Sequence, residues 1–304
     1  MAQIENGPSA SAMENSALLL RVGLGIVFVI GGISKLSQLL DPARETKILE
    51  SYWGSAGYVN QFFVDYLFSG SWPSEWLFLT SLSTFELVSG VCLILGLAVR
   101  PLALIYGFLL WFFVMALPVV TTPGVEVTVK TFTSPALLVQ VRDIALSGMM
   151  FTLFNLGPGS FSLDGKLFGH PAVRAGARWD NLGLLLRLSM AVPLLVGGFF
   201  AGMASIPTFA TPAWILIPLG LVVLSGEGIR YAGFATMAVM LWYMGNKLNM
   251  DKSVIANLNG FKREFAFFAV GGVFAILGGG RLYKAIAGID RIRAMFAKER
   301  PEQP

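Results

Sequence analysis

A single carboxylate inside an apolar run constrains this chain more than any other feature. Glu86 lies in the run Trp76–Leu97, about ten residues from its start. At about 1.5 Å of rise per residue it lies roughly 15 Å deep, near the middle of a hydrocarbon layer about 30 Å thick. Thr80, Ser83 and Ser89 share its helix face, because these residues are spaced by threes. An ionisable group at that depth normally faces protein or water, so the run predicts a membrane helix with a polar inward stripe.

The composition excludes several classes of protein. Of the 304 residues, 55 % are hydrophobic and 13 % are charged, whereas soluble domains carry about 25 % charged residues. The chain has one Cys and one His, so we expect no internal disulfide, no haem held by protein ligands and no Cys/His metal centre. Its basic character comes largely from the C-terminal tail, which is typical of a membrane-proximal segment rather than a nucleic-acid footprint. The composition therefore predicts an integral membrane protein.

Apolar runs predict an all-α protein with eight transmembrane helices. The first run is expected to remain as an anchor rather than to be cleaved as a signal peptide. The sixth and seventh runs are short for a bilayer. The predicted spans are Ala17–Leu36, Trp76–Leu97, Leu102–Leu117, Ala136–Leu156, Leu182–Met203, Ala213–Leu224, Tyr231–Gly245 and Phe261–Gly278.

The connection 37–75 between the first two spans is long and rich in aromatic residues, such as Tyr52, Trp53 and Trp72. Aromatic side chains favour the headgroup level of a bilayer. We therefore expect this connection to form short helices along the membrane surface. Docking of a partner or covering of a substrate is the alternative interpretation.

An internal repeat divides the spans into two units of four helices. Because each unit has an even number of spans, the two copies run parallel. The resulting organisation is an N-terminal segment 1–16, a first unit 17–168, a linker 169–181, a second unit 182–280 and a basic tail 281–304. The correspondences are Leu18–Arg21 with Leu184–Arg187, Gly96 and Arg100 with Gly226 and Arg230, Arg142-Asp143 with Arg263-Glu264, and Leu156–Gly159 with Leu277–Gly280.

Basic residues predict the orientation. They are concentrated in the even-numbered connections and the tail, whereas the opposite side carries most of the acids. By the positive-inside rule, both termini are cytoplasmic and the aromatic connection faces outward. Arg21 is near enough to the start of its span to snorkel to the surface.

The candidate site combines charged residues from three spans of the first unit. Arg142 and Asp143 lie near the depth of Glu86, and Lys35 lies at the rim. Ser83 shares the helix face of Glu86 and is a candidate substrate-binding residue. In the second unit Ala201 and Leu216 take the places of Lys35 and Glu86, so the deep cluster is predicted to be a property of the first unit. Two interpretations are open, namely a buried ion-pair network that only joins helices and a pocket that binds a quinone carbonyl and exchanges protons with it.

The first unit resembles the DoxX/DoxD family of bacterial and archaeal membrane proteins. The resemblance lies in Arg21, Gly31-Gly32 and Lys35, then Glu86 to Arg100, then Arg142-Asp143 and the ending Gly157-Pro158-Gly159. It implies a four-helix membrane unit associated with oxidoreductases. The best-described member type is the membrane subunit of thiosulfate:quinone oxidoreductase, which implies a location in the inner membrane and a partner subunit.

The sequence and the resemblance together lead us to expect a quinone-interacting membrane subunit of a redox system. In this interpretation Glu86 exchanges protons, Arg142 and Lys35 bind the anion or carbonyl, and Asp143 orients Arg142. A non-catalytic scaffold that docks a larger redox complex is the alternative. A transporter is disfavoured, because the repeats are parallel and matching broken helices are missing from the pattern.

Overall fold

The regular structure of the described residues is helical throughout. The computed structural model describes residues 8–53, 59, 61–67, 72–117, 135–169, 178–199 and 213–284. Most of the predicted basic tail, 285–304, and residues 1–7 of the N-terminal segment lie outside the described residues. The helices are α1 Ala10–Leu39, α2 Glu45–Trp53, α3 Gln61–Leu67, α4 Glu75–Leu95, α5 Val99–Ala116, α6 Pro135–Leu156, α7 Leu163–Phe168, α8 Trp179–Phe199, α9 Ala213–Ser225, α10 Ile229–Lys247 and α11 Val254–Leu277.

Four of these helices, α1, α4, α5 and α8, are long and apolar enough to cross a bilayer, and α9 is a shorter apolar helix. The outward faces of α4 and α5 carry exposed large apolar side chains, among them Val88 and Phe108. Exposed apolar surface of this kind is normal where lipid is the solvent. The chain is therefore a multi-pass helical membrane protein, and the count of eight spans stays a prediction.

Helix α1 begins earlier than the predicted span. Its first residue is Ala10 rather than Ala17, because the Ser9 side chain accepts a hydrogen bond from the Ala12 N–H and caps the helix there. The predicted short helices of the connection 37–75 are present as α2 and α3. Ile48 of α2 is buried against the ends of α1 and α4, so this connection folds back onto the bundle.

Helix α1 packs against α4 on one side and against α11 on another. A Cβ on Gly25 would lie 2.8 Å from the Gly90 carbonyl oxygen of α4, and a Cβ on Gly23 would lie 2.5 Å from the Ala269 Cβ of α11. No side chain larger than hydrogen fits at either position without a shift of the backbone. Such close approach through small residues is a common way for membrane helices to associate. It makes α1 the helix that joins the first part of the chain to the last.

The remaining contacts pair α5 with α6, α6 with α8, α8 with α9, and α10 with α11. The interior is apolar and continuous across these pairs, with Leu24, Leu186 and Phe267 among its fully buried members. Helices from both halves of the chain thus share one core.

Arg21 does not snorkel, and that prediction was wrong. It is 1 % exposed, and its guanidinium donates to the carbonyl oxygens of Leu93 at 3.1 Å, Ser160 at 2.9 Å and Phe161 at 3.1 Å, as well as to Ile94. The last carbonyls of a helix have no partners within the helix. Arg21 donates hydrogen bonds to the last carbonyl oxygens of α4 and to the segment that follows α6. Its charged group therefore joins these two segments inside the protein.

Candidate functional site

Four of the five predicted site residues meet at a cavity of about 460 Å³ near the C-terminal end of α1. Lys35, Glu86, Arg142 and Asp143 all line this space, which we call the Glu86 cavity. They come from α1, α4 and α6, as the depth argument predicts. The volume falls in the range of small-molecule sites, about 300–1,000 Å³.

Lys35 and Glu86 form a direct ion pair. The Lys35 Nζ lies 2.6 Å from both carboxylate oxygens of Glu86. The side chain of Glu86 is 7 % exposed and that of Lys35 is 16 % exposed. A charge-assisted contact this short and this shielded from water is a strong one. The nearest basic partner of Glu86 is therefore at the predicted rim of the site.

Gly31 leaves space for the charged ends of Glu86 and Lys262. A Cβ on Gly31 would lie 3.2 Å from the Glu86 Oε2 and 3.4 Å from the Lys262 Nζ. Both charged ends thus rest against the backbone of α1 at one glycine. The sequence singles out Gly31 through the family resemblance, and the geometry supplies a physical reason for a glycine at this position.

Helix α11 contributes two cations that sequence reasoning missed. Lys262 and Arg263 line the Glu86 cavity, and the Arg263 guanidinium lies 3.6 Å from the Asp143 carboxylate. The deep cluster is therefore not a property of the first four-helix stretch alone, and that prediction was wrong. The only signal in the sequence is the correspondence of Arg263-Glu264 with Arg142-Asp143, which gives no indication that both pairs lie near one cavity.

A kink in α11 precedes these two cations. Phe261 has non-helical backbone angles, φ −128° and ψ 21°. An interruption of this kind frees backbone carbonyls from their partners in the helix. The Gly260 carbonyl oxygen accepts a hydrogen bond from the Lys247 Nζ at 2.9 Å, so the kink is held by α10.

A second buried ion pair lies beside the kink. The Lys247 Nζ is 2.7 Å from the Glu264 carboxylate, and the Glu264 side chain is 1 % exposed. Glu264 does not line the Glu86 cavity. The described residues thus offer two buried carboxylates with similar lysine contacts, of which Glu86 faces the cavity.

The candidate Ser83 is not among the residues that line the cavity. It is fully buried, and its hydroxyl donates to the Leu79 carbonyl oxygen at 2.6 Å within α4. A Cβ on Gly32 would lie 2.7 Å from the Ser83 carbonyl oxygen, so this residue belongs to the interface of α1 and α4. The hydroxyl of Ser89 likewise contacts the Tyr106 hydroxyl at 2.6 Å. Part of the polar stripe on α4 therefore serves helix packing, and Ser83 as a ligand-binding residue stays a prediction.

Aromatic side chains form much of the cavity wall. Two of them come from α2 and one from α3, so the connection 37–75 covers this end of the bundle. Phe28 stacks on Tyr106 with ring centroids 3.8 Å apart. The aromatic members of the lining are Phe28, Tyr52, Trp53, Phe63, Phe78, Phe112 and Phe113.

The arrangement suits a flat, partly apolar ligand with an electronegative oxygen. Four cationic side chains and two carboxylates line the cavity, which leaves an excess of positive charge. Aromatic walls offer stacking surfaces. Among the described residues, no cluster of three or more His, Cys, Asp or Glu side chains is placed to hold a metal ion.

The fold is that of a multi-pass helical membrane protein, and part of the chain matches a known family of such proteins. The model of the DoxX family matches residues 16–122, which include most of α1 and all of α4 and α5. The resemblance to the DoxX family is thereby confirmed for this part of the chain. Neither the curated proteins nor the solved structures gave a match. Lys35 and Glu86 lie within the matched residues, whereas Arg142, Asp143, Lys262 and Arg263 lie beyond them.

Proposed function

We propose that this chain is the membrane subunit of a redox system and that it binds a quinone in the Glu86 cavity. The observation that carries the proposal is the Lys35–Glu86 ion pair, shielded from water at the wall of an aromatic cavity. A buried acid–base pair beside a ligand-sized space is a good candidate for proton exchange. In this proposal the electrons come from a redox centre of a partner subunit.

The roles of the residues follow from their charges. Reduction of a quinone to a quinol takes up two electrons and two protons. Glu86 is first protonated from water through Lys35, then passes this proton to a quinone oxygen and returns to a carboxylate that Lys35 stabilises; a second round of the same transfer supplies the second proton. Arg142 supplies a charge-assisted hydrogen bond to the second carbonyl oxygen, and Asp143 orients the neighbouring guanidinium groups. Lys262 lies close enough to Glu86 at Gly31 to share this work.

The two-unit arrangement of eight spans belongs to the proposal and has support from matched contacts. Arg187 donates to the carbonyl oxygens of Leu224 and Leu282. Arg21 makes the corresponding contacts, because Ile94 and Leu224 each lie two residues before a repeat glycine, Gly96 or Gly226. Phe161 and Leu282 likewise follow Gly159 and Gly280 by two residues.

The turns repeat as well. Gly96 and Gly226 have φ of 75° and 76°, and Gly159 and Gly280 have φ of 68° and 74°. Two copies of one unit are the simplest explanation of equal backbone angles at corresponding positions. With eight spans, both termini are cytoplasmic, and the resemblance to DoxX/DoxD proteins favours a bacterial or archaeal inner membrane and a sulfur compound as the electron donor.

A scaffold role is the second candidate. Tyr66 and Trp72 are 73 % and 78 % exposed on the connection 37–75, and aromatic side chains of this size are typical anchors of protein interfaces. In this alternative the ion pairs only join helices, and the exposed aromatics dock a larger redox complex.

Purification in a mild detergent separates the two candidates. Bound quinone is extracted and counted per chain, and co-purifying chains are identified in the same sample. The redox subunit should retain quinone, and a Phe28→Ala/Phe113→Ala variant that opens the aromatic wall should lose it. Replacement of Phe108, an aromatic side chain that is 64 % exposed on α5, by Ala is the matched control. The scaffold role would be favoured if partner chains co-purify but no quinone is found and added quinone does not bind.

A further inference from the structure

A second cavity, of about 900 Å³, lies at the opposite end of α1 from the Glu86 cavity. Its wall includes the starts of α8 and α10 and the end of α11. Three arginines and one lysine line it, together with one carboxylate, Asp180. The cations are Arg178, Arg230, Arg281 and Lys284, and we call this space the Arg230 cavity.

In the first helical unit, a carboxylate binds the start of the helix that corresponds to α10. Helix α5 begins after Ala98, which has φ 52°. The Asp164 carboxylate accepts hydrogen bonds from the Ala98 N–H at 2.8 Å and the Val99 N–H at 2.9 Å. The N-terminus of a helix carries unsatisfied N–H groups and a partial positive charge, and a carboxylate satisfies both.

Helix α10 begins in the same way, but among the residues that the structure describes no carboxylate takes this place. Gly228 precedes it with φ 59°, as Ala98 precedes α5. Within the part of the chain that the structure describes, no side chain accepts a hydrogen bond from the N–H of Gly228 or Ile229. Both residues line the Arg230 cavity. In the sequence, no Asp or Glu follows Gly280 before Asp290, whereas Asp164 follows Gly159 by five residues.

Trp179 adds a second, independent observation. This residue lines the Arg230 cavity and is 5 % exposed. Its indole N–H has no acceptor among the described residues. A buried donor without an acceptor is costly, and the described residues supply none for the Trp179 indole N–H. Asp180 does not serve, since its carboxylate accepts the Arg281 backbone N–H at 2.9 Å.

The geometry points to a binding site for a phosphate-bearing anion in the Arg230 cavity, where the anion takes the place that the Asp164 carboxylate has in the first unit. The inference rests on the two-unit arrangement proposed above. A phosphate offers several acceptor oxygens to the two backbone N–H groups and to the surrounding cations. Its two sources are the headgroup of an anionic phospholipid and a free phosphate.

The test uses the full chain in a neutral detergent. Short-chain phosphatidylglycerol, short-chain phosphatidylcholine and inorganic phosphate are titrated separately, and binding is read by native mass spectrometry and by the shift in unfolding temperature. Wild type should bind phosphatidylglycerol in preference to phosphatidylcholine. In the Arg230→Gln/Lys284→Gln variant the affinity should fall about fivefold for each cation, since a Lys or Arg near an anionic surface contributes about 1 kcal/mol. Arg100→Gln, which changes the corresponding arginine of the first unit, is the matched control and should keep the wild-type affinity.

The three ligands identify the source of the anion. Stabilisation by inorganic phosphate as well as by phosphatidylglycerol means that a free phosphate suffices, and stabilisation by the lipid alone identifies the headgroup. Equal binding of the two lipids, or an unchanged affinity in both Arg230→Gln and the double variant, would overturn the inference. Quinone retained by the same samples is counted separately, so failure of the quinone proposal is recognised independently of this site.

Discussion

Glu86→Gln is the most informative single change in this protein. Glutamine keeps the size of glutamate and its capacity for hydrogen bonding, but it neither carries charge nor exchanges a proton. General acid–base assistance contributes about 10²–10⁴-fold to a rate. We therefore expect quinone-dependent turnover in membranes to fall by about that factor, while the protein still folds and reaches the membrane.

The effect on stability is predicted from the contact with Lys35. The Lys35 Nζ lies 2.6 Å from the carboxylate, with both side chains largely shielded from water. Removing one member of a buried pair costs about 3–5 kcal/mol when the other charge is left uncompensated. The amide oxygen of the substituted glutamine would still accept a hydrogen bond from Lys35, so the loss for Glu86→Gln should be below that range. The loss for Glu86→Leu should reach it.

Glu264→Gln is the matched control for this experiment. Glu264 has an equally short lysine contact, 2.7 Å from Lys247, but does not line the Glu86 cavity. Both variants should lower the unfolding temperature in detergent, and only Glu86→Gln should abolish turnover. Full quinone-dependent activity in Glu86→Gln membranes would refute the functional interpretation of the pair. Equal loss of activity in both variants would show that the assay reports stability alone.

Three further predictions follow from contacts described above. A Lys35→Met/Glu86→Leu double variant should be more stable than Glu86→Leu alone, because an unpaired buried charge is removed; chemical denaturation of wild type, Lys35→Met, Glu86→Leu and the double variant measures the coupling, and a purely additive result would contradict it. Arg21→Lys should cost about 1.5–3 kcal/mol for each hydrogen bond lost, since an ammonium cannot span carbonyls from two segments; an unchanged unfolding temperature would argue against this role. A reporter fused after Pro304 should be active only in the cytoplasm, and activity on the outer side would show that the span count or the orientation is wrong.

Much of the Glu86 cavity could be predicted from the sequence. Depth along a helix is a linear function of residue number, so the polar positions of three spans could be compared by their residue numbers alone. Lys35, Glu86, Arg142 and Asp143 do line one space. The general rule that intramembrane charges face the bundle interior supplied the remaining step.

The contribution of α11 could not be predicted in the same way. Periodicity within one helix says which face is buried, but not which distant helix covers it. Lys262 and Arg263 reach the cavity because α11 packs on α1 and is kinked at Phe261. The error over Arg21 has a similar origin, since its acceptors come from two segments far apart in the chain. Both features depend on tertiary contacts between separate stretches of sequence.

The contact of α1 with α11 sets an order of events during biosynthesis. Gly23 meets Ala269, so α1, which is made early, packs against α11, the last helix that the structure describes. At translation speeds of about 5–20 residues per second, α1 and α4 can associate, and Lys35 can find Glu86, well before α11 exists. Asp143 gains its contact with Arg263 only after α11 has been made. A nascent chain therefore holds an incomplete cavity open to lipid for many seconds, and its closure by α11 is the step at which membrane chaperones and quality-control proteases can distinguish finished from unfinished molecules.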